Sequence, residues 1–297
     1  MGSDAGHTSV LLAETLELLA VRPGGLWVDG TVGLGGHAAA ILRASAPDGR
    51  LLGLDRDGET LERARERLAE FAGRVRLEQA DYREIPQRLG DARADGILLD
   101  LGISSAQLDD PERGFSFQAE GPLDMRMDRS LGETAEEVVN RTRERELADL
   151  IFAYGEEHAS RRIARAIVYE LERERIRSTT RLAEIVRRAA PRSRRPGLHP
   201  ATRTFQALRI RVNRELDGLG EALERAAGCL VPGGRLAVIA FHSLEDRAVK
   251  LAFRSLAARG FCALTKKPLR PGEEETRSNP RARSACLRAL AREEAVA

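Results

Sequence analysis

Short apolar runs alternate with helix-like segments through the first third of the chain. Apolar runs that stop at an acidic residue or a turn predict four strands, at Leu26–Asp29, 51–55, 75–77 and 96–100. An alanine-rich stretch at 37–44 and apolar residues at helical spacing through 61–71 predict helices between them. Strand–helix–strand units of this length predict a parallel sheet with right-handed crossovers.

The middle of the chain changes to a wholly helical pattern. Thr134 followed by Glu137 predicts a capping box at the start of a helix. Three apolar stripes at helical spacing follow, at 147–154, 163–171 and 182–189. A linker rich in proline and arginine, 191–200, ends this part of the chain.

The α/β pattern returns after the linker. Apolar residues from Leu208 to Leu230 predict one long amphipathic helix, and 235–241 predicts a fifth strand. We therefore expect an α/β domain whose two parts, 1–106 and 201–297, are separated by a helical insertion at 107–200.

A glycine-rich segment lies between the first strand and the first helix. It runs from Asp29 to His37 with the sequence DGTVGLGGH, and 33–38 fits the dinucleotide-binding pattern GxGxx(G/A). Glycine allows a tight turn and a close backbone approach, and a helix N-terminus offers free N–H groups. The segment predicts a nucleotide cofactor, although glycines alone are also compatible with a turn that binds nothing.

Three aspartates indicate which cofactor this is. Asp55 ends the second strand, where a carboxylate can accept hydrogen bonds from both ribose hydroxyls of an adenosine. Asp29 and Asp100 end the first and fourth strands, and the carboxyl ends of parallel strands share one edge. Acids at this edge repel a pyrophosphate but attract a sulfonium and an ammonium group, which favours S-adenosylmethionine over a nicotinamide dinucleotide. Asp29 and Asp100 are also compatible with a simple capping role.

Composition narrows the function classes. The chain has 42% hydrophobic residues, which is enough for a core, and no apolar run long enough to span a bilayer. Its three cysteines are scattered, which predicts reduced thiols and no metal site. With no secretory signal, these features predict a cytoplasmic protein that binds neither a membrane nor a metal.

Positive charge is carried mainly by arginine, although the net charge is only +2. Most arginine clusters are equally compatible with a solvated helix surface laced with Glu–Arg pairs. The stretch from Arg187 to Arg203 contains no acid, and there a phosphate-contacting surface is favoured. We expect Arg192, Arg194, Arg195 and Arg203 to contact phosphates.

Ordered motifs along almost the whole chain resemble one family, the small-subunit ribosomal RNA methyltransferase H (MraW) family. The motifs are HTSVLL at 7–12, DGTVGLGGH at 29–37, LDRD at 54–57, DGILLDLGISS at 95–105, QLDDPERGFSF at 107–117, GPLDMRMD at 121–128, HPATRTFQ at 199–206, FHSLEDR at 241–247 and NPRARS at 279–284.

The resemblance implies a class I, Rossmann-like fold with S-adenosylmethionine as methyl donor and an inserted helical domain. It implies methylation at N4 of a cytidine in the decoding region of 16S ribosomal RNA, with that RNA, within the small subunit, as the partner. The cofactor contacts that it implies are Gly35, Gly36, His37, Asp55, Tyr82, Asp100 and Gln107. His37 is also compatible with a helix-start residue that contacts no ligand.

Asp100 is the predicted catalytic residue. The N4 lone pair of cytosine is delocalised into the ring, and an acceptor for one N–H proton helps to localise it. The loop after Asp100 lacks the aromatic residue of better-known amino-methyltransferase motifs. Methylation at C5 needs a cysteine nucleophile, for which no suitable motif exists. We expect His242 and Ser243 to shape the mouth of the site, and Phe115 and Phe117 either to stack on a flipped base or to pin their loop to the core.

Two other functions are compatible with parts of the pattern. The glycine-rich segment alone is typical of a nicotinamide-dependent dehydrogenase. The arginines alone are typical of a non-catalytic RNA-binding or ribosome-assembly factor, which would bind RNA without transferring a methyl group.

Overall fold

The computed structural model describes residues 9–190 and 199–294. The chain divides into two compact units. The α/β unit comprises Met1–Gly102 and Gly218–Ala297, and the helical unit comprises Ile103–Asp217.

A seven-stranded sheet forms the centre of the α/β unit. Its strands are β1 (Leu26–Asp29), β2 (Arg50–Asp55), β3 (Val75–Gln79), β4 (Ala94–Asp100), β5 (Leu230–Ala240), β6 (Phe261–Ala263) and β7 (Cys286–Arg292). Their order is β3-β2-β1-β4-β5-β7-β6. The first five are parallel, and β7 pairs antiparallel with both β5 and β6. The chain changes direction across the sheet between β1 and β4, which is where open α/β sheets bind ligands.

Helices belong to both units. Those of the α/β unit are α1 (Leu12–Leu19), α2 (Gly36–Ala44), α3 (Gly58–Arg67), α4 (Ile85–Leu89), α11 (Leu219–Gly228), α12 (Ser243–Ala257) and α13 (Glu273–Ser278). Those of the helical unit are α5 (Ser105–Asp109), α6 (Ala135–Arg141), α7 (Glu144–Gly155), α8 (Ser160–Leu171), α9 (Thr179–Ala189) and α10 (Thr202–Asn213). No described helix is long and apolar enough to cross a membrane.

The central strands are buried because their residues are apolar on both faces. Trp27, Leu51 and Leu98 are at most 1% exposed, and α2 covers the sheet with Ile41 and Leu42. Near-continuous apolar strands are typical of a parallel sheet covered on both sides. The Rossmann-like α/β fold predicted for this part of the chain is confirmed.

The helical unit has its own core. The stripes predicted from the sequence face inward, with Leu147, Ile151, Ile163, Ile167 and Leu182 all fully buried. The predicted capping box is confirmed, since the Thr134 hydroxyl accepts from the Glu137 N–H and the Glu137 carboxylate accepts from the Thr134 N–H.

The long helix predicted from Leu208 to Leu230 is wrong. The chain leaves the helical conformation at Arg214, where φ is 52°, and again at Gly218, where φ is 62°. An ion pair between Arg209 and Glu215, with two contacts of 2.9 Å, lies across the first break. The apolar spacing continues across both breaks, so periodicity alone could not locate them.

The helical unit also extends beyond the predicted 107–200. Helix α10 belongs to it because Phe205 and Leu208 are part of its core. The Asn213 side chain donates to the Met125 carbonyl at 2.7 Å and accepts from the Met127 N–H at 2.8 Å. These bonds hold the end of α10 to the loop that follows Gly121.

Candidate active site

The glycine-rich segment forms the connection between β1 and α2. Gly33 has φ 53° and Gly35 has φ 81°, a left-handed conformation that favours glycine. A Cβ on Gly36 would lie 2.1 Å from the Ser9 hydroxyl, so a side chain there would displace that hydroxyl. Gly35 and Gly36 thus begin α2 where the sequence predicts a cofactor loop, and local packing is sufficient to explain both.

Asp55 holds this loop. Its Oδ2 accepts from the Gly33 N–H at 2.8 Å, and its Oδ1 accepts from the Asp57 N–H at 2.9 Å. Burial raises the pKa of the Asp55 carboxyl to about 6, against the lowering effect of these two backbone N–H groups. Each carboxylate oxygen has a second lone pair, so the group retains capacity to accept from a ligand.

Tyr82 lies beside the start of the same loop. It begins a short 3₁₀ turn after β3, and its Cβ is 3.0 Å from where a Cβ on Gly30 would be. The Arg83 guanidinium lies 4.8 Å from the centre of the Tyr82 ring. Burial raises the pKa of the Tyr82 hydroxyl, so it stays protonated. The half-buried ring provides the apolar surface that an adenine needs.

Asp29 is a fully buried carboxyl at the end of β1. Its Oδ1 accepts from the Thr31 N–H at 3.1 Å, and its Oδ2 has no hydrogen-bond partner among the described residues. Burial raises the pKa of Asp29 to about 7, and the negative charge of Asp55 adds to this effect. A capping role accounts for the hydrogen bond that Oδ1 accepts from Thr31, but it gives no reason for the buried position of Oδ2.

Asp100 ends β4, and its backbone N–H donates to the Thr31 hydroxyl at 2.6 Å. Its Oδ2 lies 3.6 Å from Nδ1 of His37, which is 5% exposed. Its Oδ1 is buried and has no hydrogen-bond partner among the described residues. Burial, followed by the charges of Asp29 and Glu245, raises the pKa of Asp100 well above its ordinary value.

Glu245 is the member of this acidic group that sequence reasoning missed. It is 2% exposed, lies in the first turn of α12, and accepts from the Phe241 and His242 N–H groups. His242 in turn accepts from the Glu245 N–H through Nδ1, which completes a capping box. The H-x-x-E spacing at 242–245 predicts a capping box that would bury Glu245, whereas the interpretation of this motif from the sequence considered only His242 and Ser243.

The remaining predicted cofactor residue, Gln107, lies in the helical unit. It is 4% exposed, and its side-chain oxygen accepts from the Ser104 N–H at 2.9 Å as part of a capping box at α5. In the same unit, Phe115 is buried in the core, and Phe117 contacts His199 and Phe205 at 4.7 and 4.8 Å between ring centres. These contacts favour the pinning role for both phenylalanines.

The predicted RNA-contacting arginines are only partly described. Arg192, Arg194 and Arg195 lie outside the described residues. Arg203 donates to the Glu156 carbonyl at 2.8 Å and lies 4.0 Å from the Glu157 carboxylate. Its guanidinium is therefore engaged within the helical unit.

The α/β unit thus has the class I, Rossmann-like fold. Carboxyls from β1 and α12 are buried, and those from β2 and β4 are half-buried, near the carboxyl ends of its parallel strands. This is the fold of S-adenosylmethionine-dependent methyltransferases. Residues 4–293 match the MraW methylase family, and the chain belongs to that family. S-adenosylmethionine is accordingly its cofactor.

The chain is also similar over nearly its full length to curated members of one group. It is 55% identical to the ribosomal RNA small subunit methyltransferase H of Gloeobacter violaceus, covering 95% of this chain and 87% of that protein. The proteins of the same name from Syntrophotalea carbinolica and Symbiobacterium thermophilum are 52% and 50% identical. Both alignments cover 96% of this chain, with 98% and 96% of the respective relatives. The resemblance inferred from the motifs is confirmed.

Proposed function

We propose that this protein transfers a methyl group from S-adenosylmethionine to the exocyclic N4 of a cytidine in the decoding region of small-subunit ribosomal RNA. The names of the relatives support the RNA, and the motif resemblance supports the atom and the region. The observation that carries the proposal is a pair of buried oxygens, Asp29 Oδ2 and Asp100 Oδ1, for which the described part of the chain offers no hydrogen-bond partner. We expect a ribosomal RNA methyltransferase of this kind to act in the cytoplasm.

The residues present fit S-adenosylmethionine. A buried carboxylate oxygen without a partner is costly, and a cationic ligand offsets that cost. Asp29 and Asp100 would attract the positively charged methionine part, whereas a pyrophosphate would be repelled. Asp55 would accept from the ribose hydroxyls, Gly35, Gly36 and His37 would border the ligand, and Tyr82 would contact the adenine. A contact from Gln107 is implied by the motif resemblance alone.

When bound, S-adenosylmethionine supplies a methyl group on a positively charged sulfur. Asp100 accepts an N–H of the cytidine amine through Oδ1, which directs the amine lone pair at the methyl carbon. The Oδ1 atom itself is shielded from water, and this shielding strengthens that hydrogen bond. Alignment of the amine with the methyl group accounts for most of the expected rate enhancement.

Two of the three cysteines are poorly suited to the nucleophilic attack that methylation at C5 requires, which favours an amine as the methyl acceptor. Burial raises the pKa of the thiols of Cys229 and Cys286, which disfavours a thiolate nucleophile. Cys229 also donates a hydrogen bond to the Arg225 carbonyl. Neither thiol is prepared for the attack that C5 methylation requires.

Transfer of a radioactive methyl group from S-adenosylmethionine to RNA tests the proposal. Each RNA is offered both as naked RNA and in its assembled subunit. We expect label in small-subunit ribosomal RNA and none in large-subunit RNA. Binding of RNA with no transfer to either substrate would instead support a non-catalytic assembly factor.

Asp55→Ala is expected to weaken S-adenosylmethionine binding by about 1.5–3 kcal/mol, as for hydrogen bonds to a charged group. Part of this loss arises because Gly33 loses its acceptor and the loop is less well held. Calorimetric titration measures the affinity. Asp48→Ala is the matched control, because Asp48 is exposed and precedes β2 at the opposite edge of the sheet. Equal affinities for wild type and Asp55→Ala would remove Asp55 from the site.

The helical unit is proposed to hold the RNA. Replacing Arg192, Arg194 and Arg195 with Gln is expected to weaken RNA binding and leave S-adenosylmethionine binding intact. Each lost phosphate contact should lower the salt-dependence slope of RNA affinity by about 0.7–0.9. Affinities measured at several salt concentrations give that slope.

A second triple variant controls for net charge. Arg165, Arg175 and Arg181 lie in the helical unit and form ion pairs with Glu144, Glu136 and Glu170. Replacing these three with Gln removes the same charge from arginines that already have acidic partners. We expect a smaller change in slope than in the first variant. Equal slopes in the two variants would mean that RNA is held elsewhere.

A further inference from the structure

Two contacts of His37 bear on its protonation. Its Nε2 lies 3.1 Å from the Val10 carbonyl oxygen, and a carbonyl oxygen only accepts hydrogen bonds. Nε2 must therefore carry a proton and donate it to Val10. The other nitrogen, Nδ1, is left facing Asp100 Oδ2 across 3.6 Å.

The arrangement of His37 Nδ1 opposite Asp100 Oδ2 is energetically favourable only when a proton lies between the two atoms. A bare Nδ1 opposite a carboxylate oxygen places two lone pairs against each other. With a proton on Nδ1, an imidazolium faces the carboxylate, and a small closing movement makes a charge-assisted hydrogen bond. The ring is 5% exposed and held by Val10, so it keeps this orientation.

Asp100 needs such a partner. Burial raises the pKa of its carboxyl, and the like charges of Asp29 from β1 and Glu245 from α12 add to this effect. A raised pKa favours the protonated form of the carboxyl, and a protonated carboxyl has lost much of its ability to accept an N–H. Of the other charged groups near the start of α2, Arg67 lies 4.0 Å from where a Cβ on Gly36 would be. The N-terminus of α2 itself opposes a charged His37.

We propose that His37 is a positioning residue for methyl transfer, which holds the Asp100 carboxylate ionised and oriented so that its free oxygen can accept the substrate amine proton. This inference rests on the function proposed above. In the reaction the amine lone pair forms the N–C bond while the bond from that methyl to sulfur breaks. One proton leaves the amine for Asp100 Oδ1, and His37 keeps the other carboxylate oxygen engaged through Nδ1.

The pH profile of single-turnover methyl transfer tests the inference, with S-adenosylmethionine saturating. Activity requires ionised Asp100, so the rate rises with pH. In His37→Gln the imidazolium is absent, and the midpoint of this rise should move up by about 1–3 pH units, as for loss of a nearby opposite charge. At pH values below the shifted midpoint, the rate of His37→Gln should be about tenfold or more lower than that of the wild type. At high pH the rate of the variant should recover toward the wild-type value.

The alternatives give different results. A purely structural His37 predicts a uniform loss at every pH. A residue that only contacts the cofactor predicts a weaker affinity with an unchanged profile at saturation. Either result overturns the inference. His158→Gln is the matched control, because His158 is an exposed histidine in the helical unit. Absence of transfer by the wild-type protein would instead contradict the proposed function.

A spectroscopic measurement covers the case in which His37→Gln does not fold. The chain has five histidines, so the imidazole nitrogens can be assigned by nuclear magnetic resonance. In the full chain, Asp100→Asn should move the midpoint of the His37 titration to lower pH and leave that of His158 unchanged. An unchanged His37 titration would show that the two side chains do not share a proton.

Discussion

Asp100→Asn is expected to lower the rate of methyl transfer by about a hundredfold to ten-thousandfold, the usual contribution of a positioned proton acceptor. The amide is nearly the same size as the carboxyl, and the Asp100 backbone bond to Thr31 does not depend on the side chain. The fold and the strand end are therefore retained. What is lost is the negative charge that accepts the amine proton.

The rate must be measured in single turnovers with S-adenosylmethionine saturating, because Asp100 is also a proposed cofactor contact. Calorimetry on the same variant should give a much smaller loss of cofactor affinity than the loss of rate. Asp91→Asn is the matched control, since Asp91 is exposed and lies in the same unit. Wild-type turnover in Asp100→Asn would leave Asp100 with no catalytic role.

Asp29→Asn is expected to stabilise the cofactor-free protein while weakening cofactor binding about tenfold to a hundredfold. Burial raises the pKa of Asp29 from 3.8 to about 7. Between these values the folded state binds more protons than the unfolded state, so the contribution of Asp29 to stability falls as pH rises. Above pH 7 the buried charge carries its full cost, and Asn removes it.

The size of the gain follows from the same shift. One pKa unit corresponds to about 1.4 kcal/mol, so the upper limit is about 4 kcal/mol. Asn introduces an N–H₂ group where Oδ2 had no partner among the described residues, which reduces the gain. We expect about 1–3 kcal/mol at pH 8 and a smaller difference near pH 5.

Denaturant unfolding at the two pH values measures this, and Asp48→Asn gives the effect of removing an exposed charge. Titration of the same samples with S-adenosylmethionine measures how much weaker the variant binds the cofactor. If Asp29→Asn is less stable than wild type at pH 8, other groups in the cofactor-free protein must already stabilise the negative charge of Asp29.

The sheet could be predicted because parallel strands are short apolar runs that end in identifiable residues. Asp29, Asp55 and Asp100 stand at those ends, so their shared edge followed from the strand assignments alone. The breaks at Arg214 and Gly218 could not be predicted, because the tertiary bond of Asn213 to Met125 and the local ion pair of Glu215 with Arg209 override a continuous apolar stripe. The limits of the helical unit were missed for the same reason.

The site was predicted less completely than the fold. Glu245 is brought into the acidic group by a capping box, a local feature whose sequence signal says nothing about the strand ends. The contact between His37 and Asp100 joins residues from α2 and β4 that are distant in the sequence. Such contacts depend on side-chain directions that apolar spacing does not encode. Gln107 was inferred from a motif, and its capping role at α5 is what the local geometry shows.

Identification of the methylated nucleoside tests most directly whether a cytidine amine is the acceptor. Small-subunit ribosomal RNA is incubated with the protein and S-adenosylmethionine, digested to nucleosides, and analysed by chromatography with mass spectrometry. N4-methylcytidine, 5-methylcytidine and 2′-O-methylcytidine have equal masses but separate by retention and fragmentation. Asp100→Asn provides the matched inactive sample, and nuclease fragments locate the modified position. We expect N4-methylcytidine in a decoding-region fragment with the wild-type protein only. Methylation at C5 or at the ribose, or N4 methylation confined to another region, would contradict the proposed function.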